Sequence, residues 1–157
     1  SDLARARQTA AYVEKGTGLE ARLDPRLREF DVGERTGMTM AEFAAVHPDE
    51  HAAWVRDRRA ELPGAEETTE VLARALPAYD DVLAGLPPGG TAVVVTHGAA
   101  LKVSVLALLG WPQGHHRQLE GLDNCAVAVI EQEPSDGARR LVAWNLRPDF
   151  VPDEPAR

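Results

Sequence analysis

Ala92-Val93-Val94-Val95 is an apolar run without polar alternation, followed at once by Thr96-His97-Gly98 and then by a largely apolar stretch to Leu109, closed by Gly110 and Pro112. A run that does not alternate reads as a strand covered on both faces, and Gly with Pro just past an apolar period reads as a helix stop. A buried strand that turns directly into a helix restricts the fold more than any other feature of the chain. It calls for a sheet with helices packed over it, which is the α/β class. The helical stretch carries Lys102 and Ser104 and is far shorter than the roughly 20 residues of a membrane span.

The remaining pattern fits around that unit. Ser1 or Asp2 is placed to cap a first helix, in which Leu3, Ala6, Ala10 and Val13 share a face until Gly16. Leu19 to Leu23 alternates as a short strand would, and Asp24-Pro25 breaks it. Thr39 with Glu42 three residues on is a capping box ahead of Phe43 and Val46. Pro48 suits the first turn of a second piece that carries Trp54 and Val55 and runs out near Pro63-Gly64. A longer helix follows from Thr68 or Thr69 through Leu72, Leu76, Tyr79, Leu83 and Leu86, bent at Pro77 and ended by Pro87-Pro88-Gly89-Gly90. Cys125 to Ile130 and Leu141 to Trp144, joined by Pro134-Ser135-Asp136-Gly137, predict a hairpin. The length of 157 residues predicts one domain, residues 1–147, with a loose Pro-rich tail over 148–157.

Composition narrows the function. Seventeen Lys and Arg against 25 Asp and Glu give a formal charge of −8, which argues against a general nucleic-acid or polyanionic-membrane binder, since those need a cationic footprint. The single Cys125 forms no internal disulfide, and the N-terminus lacks a signal-peptide pattern, so a cytoplasmic location is expected. Neither a phosphate-binding Walker loop nor a dinucleotide glycine fingerprint is present.

Six groups of residues bear on chemistry. His97 lies at the carboxyl end of the predicted strand, facing the free N–H groups of the next helix, where an anion is favoured and where ligands of open α/β sheets bind; a strand-ending histidine that only bonds backbone is the alternative. Arg5 and Arg7 sit near a helix start, against the dipole, which hints at a neutralising anion; a solvated face is the alternative. Glu29, between Leu27 and Phe30 in a glycine-containing loop, is placed where partial burial would equip it as a proton donor. His47 and His51 have the spacing of a metal pair but lack a third ligand, His115-His116 reads as a flexible loop, and Cys125 reads as a small buried hydrophobe.

Taken in order, SDLARARQTA, LDPRLREFDVGERTG, PGAEE and VVVTHGAALKVSVLALLG resemble the histidine phosphatase superfamily, the phosphoglycerate mutase-like fold. The Leu122-Asp123-Asn124-Cys125 segment and the final hairpin are similar too. The resemblance implies a three-layer α/β/α architecture with a mostly parallel central sheet, and a phosphate pocket at its carboxyl end where a histidine is transiently phosphorylated. It assigns phosphate binding to Arg5, His97 and Gly98, stabilisation of the transferring phosphoryl group to His97, and to Glu29 protonation of the leaving oxygen followed by activation of water. No cofactor and no metal are implied.

The family's Arg-His-Gly motif, which supplies the nucleophilic histidine from the first strand, occurs nowhere in the sequence; His97 is preceded by Thr96 and matches the second histidine. The chain is therefore expected to be an incomplete piece of a longer enzyme, its first strand missing, and inactive by itself. Ala65 also replaces a usual second glycine beside Glu66. The expected activity is hydrolysis of a small phosphorylated metabolite. Phosphoglycerate mutase-type transfer and a non-catalytic phosphate-binding module are the alternatives. Uncovered sheet edges would also admit a homodimer.

Overall fold

The computed structural model describes residues 1–56 and 62–147. The chain divides into two compact units, one formed by 1–29 with the chain from Arg74 onward, the other by Phe30–Ala73.

In the first unit, helix α1 spans Ala4–Thr17 and buries Ala6 and Ala10, as the spacing predicts. Its ends differ from the sequence reading. Leu3, not Ser1 or Asp2, occupies the cap position without a side-chain bond, and the stop is Gly18, left-handed at φ 73°, whose N–H reaches the Glu14 carbonyl. Ser1 and Asp2 make contacts elsewhere that turn out to matter more. Leu19 to Leu23 forms no strand: Leu19 is 72% and Leu23 52% exposed, so there is no face for alternation to bury. Asp24 then caps a short 3-10 turn over Pro25–Leu27.

Helix α4 covers Thr68–Ala84 and continues through Pro77. Its deepest stripe is Val71, Ala75, Ala78 and Tyr79, while Leu72, Leu76 and Leu83 are only half-buried. Small alanines let neighbouring backbone approach, and Leu27, Ala75, Ala78 and Tyr79 form a core cluster on which Val94, Leu101 and Leu108 pack. Helix α5 runs Gly98–Leu108, with Gly110 in the left-handed region one residue past its cap. Strands β1 (Val127–Gln132) and β2 (Arg139–Leu146) make the expected antiparallel hairpin, pairing Ile130 with Leu141, with irregular register on both sides of Val129.

The parallel central sheet expected from sequence is not formed among the described residues, where the hairpin is the one sheet. Ala92–Val95 enters no strand ladder, and Val93 is 65% exposed. An apolar run becomes a strand only where another strand accepts its hydrogen bonds, and that condition is non-local. Cys125 is also corrected: it is exposed, precedes β1, and has φ 61°.

The second unit contains α2 (Met40–Val46) and α3 (Pro48–Arg56). The Thr39–Glu42 capping box is present in both directions, and Phe43 behind it is fully buried. The segment 31–34 is docked on 62–66 by the Val32–Ala65 bridge and by bonds from Glu34 N to Pro63 O and Glu66 N to Asp31 O. Where the second helical piece ends lies outside the described residues, as does the proposed tail.

Candidate active site

His97 is 8% exposed and ends the Val94–Thr96 approach to α5. Its ring is held from both sides. Arg5 Nε donates to Nδ1 at 3.1 Å, and Nε2 lies 2.9 Å from Ser1 Oγ. A guanidinium only donates, so Nδ1 must accept; the proton of the neutral ring is then on Nε2, directed at Ser1 Oγ. Ser1 itself is anchored, its nitrogen donating to the Val95 carbonyl at 2.8 Å. Thus the residue that the sequence reads as a helix cap instead braces the histidine.

Arg5 spends its Nε on His97, and its two terminal nitrogens carry no hydrogen bond among the described residues. A planar pair of donors beside a buried imidazole suits the oxygens of a phosphate. Arg7, also considered from sequence, is exposed and makes no contact with this cluster.

Glu29 arrives from the loop before Phe30. Its carboxylate accepts from Ala99 N at 3.1 Å and from Ala100 N at 2.8 Å, capping the first turn of α5. The anion that sequence reasoning places on this helix N-terminus is, in this geometry, the protein's own. Above Gly98 a Cβ would meet nothing within 4 Å, so the backbone there is open to an incoming group.

Two ties hold the Glu29 loop. Thr96 Oγ1 donates to the Leu27 carbonyl at 2.9 Å, and Thr96 also meets the buried Tyr79 hydroxyl, which bonds Ser104 as well; burial pushes the Tyr79 phenol up to about 12. Arg28 forms a bidentate pair with Asp2 at 2.8 and 2.6 Å, the guanidinium holding the Asp2 carboxyl below its usual range. The structure therefore brings Arg5, His97, Gly98 and Glu29 together around one turn, and adds Ser1 and Thr96, which sequence reasoning missed.

The other histidines go elsewhere. The His47 ring stacks on Phe43 with centroids 4.9 Å apart and lies 3.4 Å from a Glu34 oxygen, while His116 Nδ1 is 3.0 Å from the Gln113 carbonyl in a 3-10 turn. A hollow of about 360 Å³ in the second unit is lined by Glu50, Leu62, Pro63, Gly64, Ala65 and Glu67. Two carboxylates in its wall make it a poor place for a phosphate.

Burial, followed by the Arg5 guanidinium, holds His97 below its ordinary value of 6.5, with Glu29 opposing. The unfolded chain consequently takes up this proton first as pH falls. The stability present above about 6.5 is lost progressively as pH drops through the lower folded value. Denaturant midpoints should fall between pH 7 and pH 5.5, above the range where carboxylates titrate. That slope should flatten in His97→Gln, and an unchanged slope in the variant would contradict the assignment.

The architecture is α/β, and the cluster is a turn into α5 that gathers a buried histidine, an arginine and a carboxylate. Residues 1–147 match the histidine phosphatase superfamily (branch 1), and the chain belongs to that superfamily. It is 32% identical over 158 residues to glucosyl-3-phosphoglycerate phosphatase of Mycobacterium tuberculosis (strain CDC 1551 / Oshkosh), covering 92% of this chain and 71% of that protein. It is 36% identical over 145 residues to the probable phosphoglycerate mutase GpmB of Cronobacter sakazakii (strain ATCC BAA-894), covering 86% of this chain and 62% of that protein. The native structure of the mycobacterial glucosyl-3-phosphoglycerate phosphatase superposes with a TM-score of 0.80 at 33% identity, over 92% of this chain and 74% of that one. The same mycobacterial enzyme has been solved with inorganic phosphate. No helix among the described residues is long and apolar enough to cross a membrane.

Proposed function

We propose that residues 1–147 act as the phosphate-handling domain of a phosphomonoester hydrolase that works through a phosphohistidine intermediate on a small phosphorylated metabolite. The observation that carries this reading is the contact between Arg5 and His97, which joins a guanidinium whose terminal nitrogens carry no hydrogen bond among the described residues to a buried imidazole with its proton on the other ring nitrogen. In the proposed reaction Arg5 binds two phosphate oxygens. His97 Nε2–H turns from Ser1 to a third oxygen and stabilises charge as the phosphorus is attacked. Glu29, carrying a proton in the substrate complex, gives it to the leaving oxygen and, once the alcohol departs, takes one back from the water that attacks the phosphohistidine. To do so it must leave the amides of Ala99 and Ala100, which then face the phosphate with Gly98. The inorganic phosphate bound by the mycobacterial relative supports the same class of ligand here.

The nucleophile of this scheme belongs to an Arg-His-Gly motif, and none occurs in these 157 residues. We therefore propose that a parallel strand carrying it pairs with Ala92–Val95, and that these residues alone bind phosphate without turnover. Phosphotransfer of the mutase type is the second reading, favoured by the identity to the probable mutase. A purified translation product of the whole reading frame should hydrolyse p-nitrophenyl phosphate, with the same rate in the presence of EDTA. No hydrolysis, or loss of activity to the chelator, would overturn the metal-independent phosphatase.

A further inference from the structure

Arg74 lies in α4, 45 residues from Glu29 in sequence, yet its guanidinium reaches three carbonyls of one short loop. Nη1 donates to Arg26 O and to Arg28 O, each at 2.8 Å, and Nη2 donates to Glu29 O at 3.0 Å. Three carbonyls converging on one planar cation fix the path of the backbone that ends in Glu29. Loop carbonyls do not find regular partners as those of a helix or sheet do, so this geometry would not persist without a donor supplied from outside the loop. The anchoring helix is packed at this point, because Ala75, Ala78 and Tyr79 beside Arg74 form the buried cluster with Leu27. The positive charge of Arg74 is also felt at His97.

We infer that Arg74 is a positioning residue for Glu29: it clamps the 26–29 backbone from α4 and so sets where the Glu29 carboxylate stands relative to the first turn of α5. This deepens the reading of Glu29 as the proton donor and rests on it for its catalytic consequence. The clamp itself is a separate claim, since it concerns the carboxylate's position whatever chemistry follows. A lysine keeps the charge but offers it as a single point, so Arg74→Lys should recover only part of the effect.

The experiment follows the backbone amides of Ala99 and Ala100 by NMR while pH is varied. Both donate to Glu29, so in the unaltered chain they move as that carboxyl titrates, and Glu29→Gln identifies the contribution. In Arg74→Gln the pH-dependent movement of both amides should fall by about half or more, while amides in the second half of α5 keep their positions. Movement of unchanged size in Arg74→Gln overturns the clamp. Should that variant not fold, Arg74→Lys carries the same readout, with a partial loss expected and an unchanged amplitude overturning the inference.

In the whole reading-frame product, Arg74→Gln should lower kcat for the aryl phosphate at least about tenfold while KM changes little, a part of what a proton donor contributes. Added to Glu29→Gln it should cost almost nothing further, because both act through one carboxylate. Fully multiplicative losses would show that Arg74 acts through general stability and would overturn the inference. Absence of hydrolysis in the unaltered product removes the phosphatase reading and leaves the amide experiment to judge the clamp.

Discussion

Gly33→Ala should destabilise the Phe30–Ala73 unit more than a glycine-to-alanine change ordinarily does. Two costs coincide there. The backbone of Gly33 has φ 54°, a left-handed conformation that costs other residues roughly 1–2 kcal/mol. An added Cβ would also lie 2.2 Å from the Pro63 carbonyl oxygen, 2.4 Å from Gly64 C and 2.6 Å from Ala65 N, all backbone atoms. These atoms cannot turn aside as a side-chain tip does. Relief requires the 31–34 and 62–66 segments to separate, with loss of the Glu34–Pro63 bond and the Val32–Ala65 bridge. A loss above about 2 kcal/mol follows, in the upper part of the range for single substitutions. In a protein of this size that corresponds to a thermal midpoint lower by roughly 5 °C or more. Thermal unfolding checks it, with Gly114→Ala as a control at a glycine where a Cβ meets nothing within 4 Å. Equal midpoints for the two variants would contradict the packing described.

The parts of the site that sequence makes visible are those whose chemistry is carried by a side chain at a characteristic place. His97 is marked by the strand-to-helix turn, Arg5 by its opposition to a helix start, and Glu29 by apolar neighbours in a glycine-containing loop. What stays hidden is the support. Arg74 recognises backbone carbonyls, which every residue has, so nothing in the loop's sequence announces the partner. Ser1 has the chemistry of a helix cap and is read as one; only the folded chain shows its hydroxyl at His97. The Thr39–Glu42 box is local, governed by capping and spacing, and that expectation holds, whereas the ends of α1 shift to Leu3 and Gly18 because Ser1 is drawn to His97. The pairing of Ala92–Val95 is non-local, so an apolar run announces burial without naming the strand that provides it.

The second large effect concerns phosphate. Arg5 offers charge-assisted donors and His97 a single N–H at Nε2, and each such bond to a charged group contributes roughly 1.5–3 kcal/mol. Arg5→Ala should therefore weaken inorganic phosphate binding by about 10- to 100-fold. His97→Ala should do similarly, and it also removes the acceptor that orients Arg5 Nε. Arg7→Ala should leave affinity nearly unchanged, because Arg7 is an exposed cation outside the cluster. That contrast separates a built site from attraction to any nearby positive charge. It matters in a chain whose formal charge of −8 repels phosphate at long range.

The most direct measurement titrates inorganic phosphate into the chain while the imidazole nitrogens of His97 are followed by NMR. Without phosphate, Nε2 should carry the proton and the ring should stay neutral at pH 7, as burial and Arg5 dictate. With phosphate, both ring nitrogens should shift in a saturable way and the ring's pKa should rise, since an anion at hydrogen-bond distance favours the imidazolium. Arg5→Ala should abolish that response over the same concentrations. A His97 ring indifferent to phosphate, or a response that survives Arg5→Ala unchanged, would contradict the assignment of this turn as the phosphate site.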